Sequence, residues 1–309
     1  PMKQIVILSG KGGAGKTSVV AAFAHLASQE SDIVLADADV DAANLELVLS
    51  ARNTQQTAFQ GGKEAVIDQA LCQACGRCAE VCRYDAVLER EGIYQVDPVA
   101  CEGCASCFYQ CPAEAIEMRD RQAGLWYRSD TPYGPLYHAH LFAGQDNSGK
   151  LVTVVKQQAN LWAFDHETDY LLVDGPPGIG CPVIAACTGA QLALLVVEPT
   201  VSGLHDLERI LATTRHFRVP AVAVVNKFDI NPARAEEIDR FCQDQDIALV
   251  GRIPYDTVVT EAIVHGQPVT VFDQGPVSLA LSRVWQRVRE MLEAPSLENM
   301  PTWIPRLFS

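Results

Sequence analysis

The chain lacks any apolar run approaching the roughly 20 residues that cross a bilayer, so no membrane insertion is expected. It is also short of basic charge: 24 Lys and Arg stand against 38 Asp and Glu, a formal net charge of −14. Phosphate backbones and anionic lipid surfaces are gripped by clustered Lys and Arg, so nucleic acid and membrane are both poor partners for such a surface. A secretory leader is missing as well. The polypeptide runs directly into Ile5-Val6-Ile7-Leu8 and a glycine-rich loop, which predicts a soluble, cytoplasmic protein. Cysteine, by contrast, is abundant, with eleven in 309 residues. Secreted disulfide frameworks are small and loop-rich, whereas this chain is long enough for one large α/β domain and a small module. Eight of the eleven lie between Cys72 and Cys111, at spacings with a chemical meaning of their own. The expected compartment is reducing, and the expected host is an anaerobe or an organism that tolerates oxygen poorly.

Three zones follow from the pattern. Residues 3 to about 58 predict a strand at Ile5 to Leu8, a helix from Lys16 to about Ser28, and a strand at Ile33 to Ala36. Residues 59–120 are polar, cysteine-dense and repeated. A shift of 29 superimposes Cys72, Cys75, Cys78 and Cys82 on Cys101, Cys104, Cys107 and Cys111. The flanks agree, with Ile67-Asp68 over Val96-Asp97 and Asp85-Ala86-Val87 over Glu114-Ala115-Ile116, so each half is expected to begin with a short strand. From Leu125 onward α/β alternation resumes. Continuous apolar runs at Tyr170 to Val173, Leu192 to Val197, Ala221 to Val225 and Leu249 to Val250 predict parallel strands covered on both faces. Helices are expected at about 203–217, 233–245, 257–265 and 277–293. The last carries Leu281, Trp285, Val288 and Leu292 on one stripe, the pattern of a helix docked on a core.

Gly10-Lys11-Gly12-Gly13-Ala14-Gly15-Lys16-Thr17 satisfies G-x-x-x-x-G-K-[ST] between an apolar strand and a helix. The glycines let the backbone N–H groups close around phosphates, and the helix start adds positive potential. Lys16 is expected at the β and γ phosphates, and the Thr17 hydroxyl on Mg²⁺. Asp37-Ala38-Asp39-Val40-Asp41 follows the second strand, where carboxylates can serve the metal and the attacking water. Asp41 is expected to cap a helix starting at Ala42. Leu171-Leu172-Val173-Asp174-Gly175-Pro176-Pro177-Gly178 is an apolar strand ending in a carboxylate, the Walker B pattern, with Asp174 on Mg²⁺ and the glycines as a γ-phosphate switch. Asn226-Lys227-Phe228-Asp229 reads either as guanine recognition through Asp229 or as adenine recognition through Asn226.

The second loop lysine, Lys11, makes this set resemble the deviant Walker A group, which holds the MinD, ParA, Mrp and nitrogenase iron protein families. The resemblance implies an ATPase (ATP to ADP and phosphate, Mg-dependent) that closes as a homodimer, or as a heterodimer with a related ATPase. In it Lys11 reaches the partner's phosphates, Asp39 orients the attacking water and Asp37 supports the metal. It also implies a nucleotide site of Gly10, Gly12, Gly13, Ala14, Gly15, Lys16, Thr17 and Ser18, with Asn226 and Pro254 towards the base, and favours ATP over GTP.

C-x₂-C-x₂-C-x₃-C occurs twice, the second copy ending in Cys111-Pro112. Thiolates suit iron–sulfur clusters, and in two-cluster ferredoxins the fourth cysteine of each run serves the other cluster. Cys72, Cys75, Cys78 and Cys111 are therefore expected on one [4Fe–4S] cluster, and Cys101, Cys104, Cys107 and Cys82 on the other. Zinc knuckles pair two C-x₂-C units across a longer gap and fit less well. Arg83 stands where the first run would carry its proline. The whole order resembles MinD/Mrp-family ATPases with an inserted two-cluster ferredoxin domain, some of them in the orange-protein complexes of sulfate reducers. The implied fold is α/β: a mostly parallel P-loop sheet flanked by helices (1–58 and 121–309), with a bacterial-ferredoxin-like α+β insert (59–120).

Cys181 lies seven residues after Asp174, the offset of a cysteine that holds a subunit-bridging cluster in the nitrogenase iron protein. The second cysteine needed upstream is absent, and a buried apolar role is the alternative. Cys187 and Cys242 are expected in the core. His138 and His140 alternate and would share one strand face, but no third metal ligand is evident in the sequence, so surface or core packing is the role expected of them. No role is evident for Asn147-Ser148-Gly149-Lys150-Leu151. Two functions fit: an ATP-driven device for electron transfer or for metal or iron–sulfur cofactor assembly on a redox or cofactor-carrying partner, or a positioning or regulatory ATPase whose clusters are sensors or staples.

Overall fold

The computed structural model describes residues 2–145 and 147–293. Along the chain these form β1 (Lys3–Ser9), α1 (Lys16–Ser28), β2 (Ile33–Asp37), α2 (Leu45–Val48), β3 (Arg52–Ile67), α3 (Arg77–Glu80), β4 (Val87–Arg90), β5 (Ile93–Val96), α4 (Ser106–Gln110), β6 (Ile116–Thr131) and β7 (Gly134–Leu141). There follow α5 (Ser148–Asp165), β8 (Tyr170–Pro177), α6 (Cys181–Cys187), β9 (Leu192–Val197), α7 (Val201–His216), β10 (Ala221–Asn226), α8 (Pro232–Asp244), β11 (Leu249–Ile253), α9 (Val258–Val264), α10 (Val269–Phe272) and α11 (Pro276–Glu293). None of the described helices is long and apolar enough to cross a membrane.

The chain divides into two compact units. Among the described residues, one comprises 2–56, 126–140 and 148–293, and the other 57–125 with 141–145 and 147. Strands β3 and β6 each carry the chain across this division. Strand order is β11-β10-β9-β1-β8-β2-β7-β6-β3. The pairings from β11 through β7 are parallel.

The first unit owes its form to residues that can bury both faces of a strand. β1, β2, β8 and β9 are almost wholly buried, as continuous Val/Ile/Leu runs require when helices cover both sides. Helix α1 is apolar nearly all round and lies inside the core. Helix α11 buries Val277, Leu281, Val284, Trp285, Val288 and Leu292, a stripe at the i, i+4, i+7 spacing, with Trp285 against Phe23 at 5.0 Å and Tyr170 at 5.5 Å between ring centroids. Within α5, Lys156 is buried and donates to the carbonyls of Ala185, Ala186 and Thr188 (3.0, 2.7 and 2.6 Å), satisfying the end of α6.

Two expectations change here. No helix begins at Ala42; α2 starts at Leu45, and it is Asp37, not Asp41, whose carboxylate accepts the N–H groups of Asn44 and Leu45 (3.2 and 3.1 Å). Asp37 is buried at the end of β2 and reaches them, while Asp41 is exposed. The strand before the first cysteine run is not short: β3 spans 16 residues, because Arg52 to Gln56 add a polar, largely exposed stretch that carries no apolar signal. The 16 residues of β6 were hidden for the same reason.

In the second unit the 29-residue repeat is structural. Helix α3 begins at Arg77 and α4 at Ser106. Left-handed backbone recurs in pairs: Ala74 with Gly103, Gly76 with Ala105, and Asp85 with Glu114. Asp68 N–H donates to Ala115 C=O and Asp97 N–H to Ala86 C=O, both at 2.7 Å. These two bonds are equivalent under the repeat, so each half begins beside the end of the other.

Candidate nucleotide site and cysteine unit

β1 is flanked by β8 and β9, and β8 by β2, which brings the carboxyl ends of three strands together where an open α/β sheet binds its ligand. The register sets Ile7 beside Asp174, and Asp37 beside Asp174 on the other flank. The loop from Gly10 leaves the end of β1 and enters α1 through Gly15, whose φ of 95° lies in the left-handed region. A Cβ on Gly15 would sit 2.3 Å from Asn226 Nδ2, so glycine is required here twice over.

Lys16 is buried and donates to Ser9 Oγ at 3.0 Å, while Ser9 Oγ donates to the Lys11 carbonyl at 2.6 Å. Ser9 went unnoticed in the sequence because it ends an apolar strand like any other small residue. Thr17 Oγ1 donates to Asp174 Oδ2 at 2.6 Å. The other oxygen, Asp174 Oδ1, is buried with no hydrogen-bond partner. Burial pushes the Asp174 carboxyl up to about 6, against the pull of the Thr17 hydroxyl and the Lys16 charge. Asp37 is also raised, first by burial and then by the charge of Asp174. Its Oδ1 accepts from Asp39 N–H, and its Oδ2 from Asn44 and Leu45. Asp37 thus holds the Asp39 loop, and the free carboxylate oxygen beside Thr17 belongs to Asp174. A hydroxyl, a buried unpaired carboxylate oxygen and hard oxygen chemistry fit Mg²⁺. Asp39 is half-buried, raised by desolvation and opposed by the neighbouring Lys16 charge.

Lys11 is folded back within its own chain, 3.2 Å from Glu198 Oε2 and 3.1 Å from Thr200 Oγ1. Glu198 also meets Lys227 at 2.5 Å. Burial pushes Glu198 up, but the hydrogen bonds from Lys227 and Lys11 outweigh it and hold the carboxyl below its usual range. Beside the loop, a cavity of about 220 Å³ is lined by residues that include Gly13, Gly15, Ser18, Asn226, Pro254 and Tyr255. Asn226 Nδ2 donates to the Ala14 carbonyl at 2.9 Å. Asp229 Oδ1 accepts the Tyr255 N–H at 2.7 Å, so one oxygen of this carboxylate anchors the 254–256 segment, and Asp229 is not among the residues lining the cavity. Its place outside the lining argues against the guanine reading. Gly178, with φ 90°, donates its N–H to the Ser9 carbonyl at 3.2 Å and so ties the segment after β8 to the loop.

In the second unit, Cys78, Cys101 and Cys107 are buried, Cys72, Cys82 and Cys111 half-buried, and Cys75 and Cys104 exposed. Ala74 N–H donates to Cys72 Sγ at 3.4 Å, and Ala86 and Ala115 N–H to Cys82 and Cys111 Sγ at 3.3 Å each. A small cavity of about 20 Å³ has Cys82, Cys101, Cys104 and Cys107 in its wall, the fourth member of one run with three of the other. Gly103 permits this turn: a Cβ there would lie 2.2 Å from the Lys63 carbonyl.

The remaining cysteines separate. Cys187 and Cys242 are buried, and burial pushes their thiols up to about 11 and about 12. Cys181 opens α6 and is exposed, so it has no core role.

The family model described as the CobQ/CobB/MinD/ParA nucleotide binding domain matches residues 5–269. An uncharacterized protein of Methanocaldococcus jannaschii is 31% identical over 291 residues, 94% of this chain and 97% of that one. The septum site-determining protein MinD of Bacillus subtilis is 25% identical, over 92% and 88% of the two chains. The iron–sulfur cluster carrier protein of Pyrococcus furiosus is 22% identical, over 94% and 86%. Among solved structures, MinD of Pyrococcus horikoshii complexed with Mg-ADP superposes with a TM-score of 0.60 at 17% identity, covering 96% of this chain and all of that one. This last likeness is one of fold.

Proposed function

Since the chain belongs to the CobQ/CobB/MinD/ParA family of nucleotide-hydrolysing P-loop ATPases, we propose that it uses ATP to govern two [4Fe–4S] clusters in electron transfer or in cofactor assembly on a partner protein. The observation that carries this reading is the cavity bordered by Cys82, Cys101, Cys104 and Cys107, in a chain whose other unit is an ATPase site. Zinc knuckles, built from two C-x₂-C pairs, would not draw one ligand from one run and three from the other in this way. By the repeat, Cys72, Cys75, Cys78 and Cys111 form the second set. When bound, such clusters supply one-electron chemistry at low potential. The name of the Pyrococcus furiosus relative, an iron–sulfur cluster carrier, agrees with a role in cluster handling.

On the nucleotide side, Lys16 would leave Ser9 for the β and γ phosphates, and the loop N–H groups would bind their oxygens. Thr17 and Asp174 would hold Mg²⁺, and Asp39 would orient the attacking water. The adenine base would enter the cavity at Asn226 and Pro254. Gly178, tied to Ser9 beside the loop, is positioned to respond to the γ-phosphate. Members of this family commonly dimerise, and Lys11 would then exchange Glu198 for the partner's phosphates.

The test is an anaerobic, EPR-monitored titration of the cluster potentials with MgADP and then with a non-hydrolysable ATP analogue. The expected result is a shift of roughly 30 mV or more, on the scale where 59 mV is tenfold for one electron. Equal potentials in both states, with normal hydrolysis, would refute gating and leave a positioning or regulatory ATPase with clusters as sensors or staples.

A further inference from the structure

We infer that Glu46, His138 and His140 form a binding site for a divalent transition-metal cation of the zinc class, separate from the nucleotide and cysteine sites. Their ligand atoms all lie within 4.8 Å of one another. His138 Nδ1 is 3.4 Å from Glu46 Oε2, and His140 Nε2 is 3.1 Å from Glu46 Oε1. Two ligands at about 2.0 Å from a tetrahedral ion stand about 3.3 Å apart, close to each of these two contacts, which use different oxygens of the Glu46 carboxylate.

The hydrogen bonds behind the site fix its chemistry. Ser129 Oγ donates its one proton to Asn53 Oδ1 at 2.6 Å. It must then accept from His138, whose Nε2 lies 2.7 Å away, so the His138 proton sits on Nε2. Nδ1 therefore presents a lone pair towards a carboxylate. His138 is completely buried, and Nδ1 has no hydrogen-bond partner. A lone pair on a fully buried ring, held face to face with a carboxylate, calls for a cation between them. Tyr127 stacks on His138 at 5.0 Å and meets His140 edge-on at 5.7 Å, which holds both rings in place.

Imidazole nitrogens with one carboxylate suit zinc, cobalt, nickel or ferrous iron and not Mg²⁺ or Ca²⁺. The Ser129 hydrogen bond on the far nitrogen is the outer partner that metal-bound histidines have. Three protein ligands leave a fourth position for water or another donor, and His140, 41% exposed at its side chain, gives access. Glu46 lies on α2, whose first N–H groups are held by Asp37 of the nucleotide site, so the ion would bind the element that follows the Asp37–Asp41 loop.

Cobalt(II) titration of the full chain under anaerobic conditions tests this. In wild type, one equivalent should give visible d–d bands without the near-ultraviolet thiolate charge transfer that cysteine coordination produces. His140→Ala and Glu46→Gln change partly exposed side chains, and each should lose that equivalent while the circular dichroism stays unchanged. Ser129→Ala should weaken binding about 10–100-fold. Thiolate-free bands of equal size in wild type and both ligand variants, or none in any of them, would overturn the assignment.

Discussion

Asp174 is buried with one oxygen bonded to Thr17 and the other unpaired, and this arrangement has a consequence for stability. Its carboxyl rises from 3.8 to about 6 on folding because burial penalises the charge. The folded state therefore holds an extra proton between those values. Above pH 6 it must carry a buried anion that the unfolded chain carries in water, so its stability falls as pH rises from about 4 through 6. Asp174→Asn keeps the acceptor for Thr17 and removes that anion. In metal-free protein the variant should be the more stable, and its advantage should grow by about 1 kcal/mol between pH 5 and pH 8. Urea unfolding at several pH values measures this, and Mg²⁺ should raise the midpoint of wild type but not of the variant. A gap between the two that does not vary with pH would remove the electrostatic explanation.

Among elements, α11 shows how far periodicity leads. The stripe through Leu281, Trp285, Val288 and Leu292 is visible in the sequence because a helix turns once every 3.6 residues, and those side chains are buried. What they pack on is not visible: Trp285 meets Phe23 from α1 and Tyr170 from β8, more than a hundred residues away. Truncation to Trp285→Ala should cost about 3–5 kcal/mol, since an aromatic side chain is removed from a site that other elements fill on several sides. A urea midpoint for the α/β unit within error of wild type would show that α11 is dispensable to the core. The long β3 and β6 mark the opposite case. Their outer halves are polar on both faces, so neither the period of two nor an apolar run announces them.

For the molecule as a whole, the telling contact is Lys11 with Glu198 and Thr200 inside one chain. Reaching a second subunit means leaving a carboxylate that Lys227 can still neutralise, a change that keeps Glu198 paired. With MgATP, an Asp39→Ala chain should sediment as a dimer, because nucleotide is bound but not turned over. Adding Lys11→Ala should return it to monomer, and a double variant that still dimerises would show that closure does not depend on this lysine. The segments that carry Gly10, Asp39 and Asp174, and the two cysteine runs, were legible in the sequence because each chemistry needs its residues at short, fixed spacing along the chain. Three things were decided only by folding. Asp229 was free to read guanine until β10 and β11 came side by side and one of its oxygens took the Tyr255 N–H, outside the cavity lining. Cys181 could have been core until α6 opened with it at the surface. The histidines of β7 lacked a third ligand because Glu46 stands 92 residues before His138 and 94 before His140. Sequence determines what lies within a turn or a strand, where the backbone sets the geometry, whereas partners far apart in the chain meet only through the order in which the strands assemble.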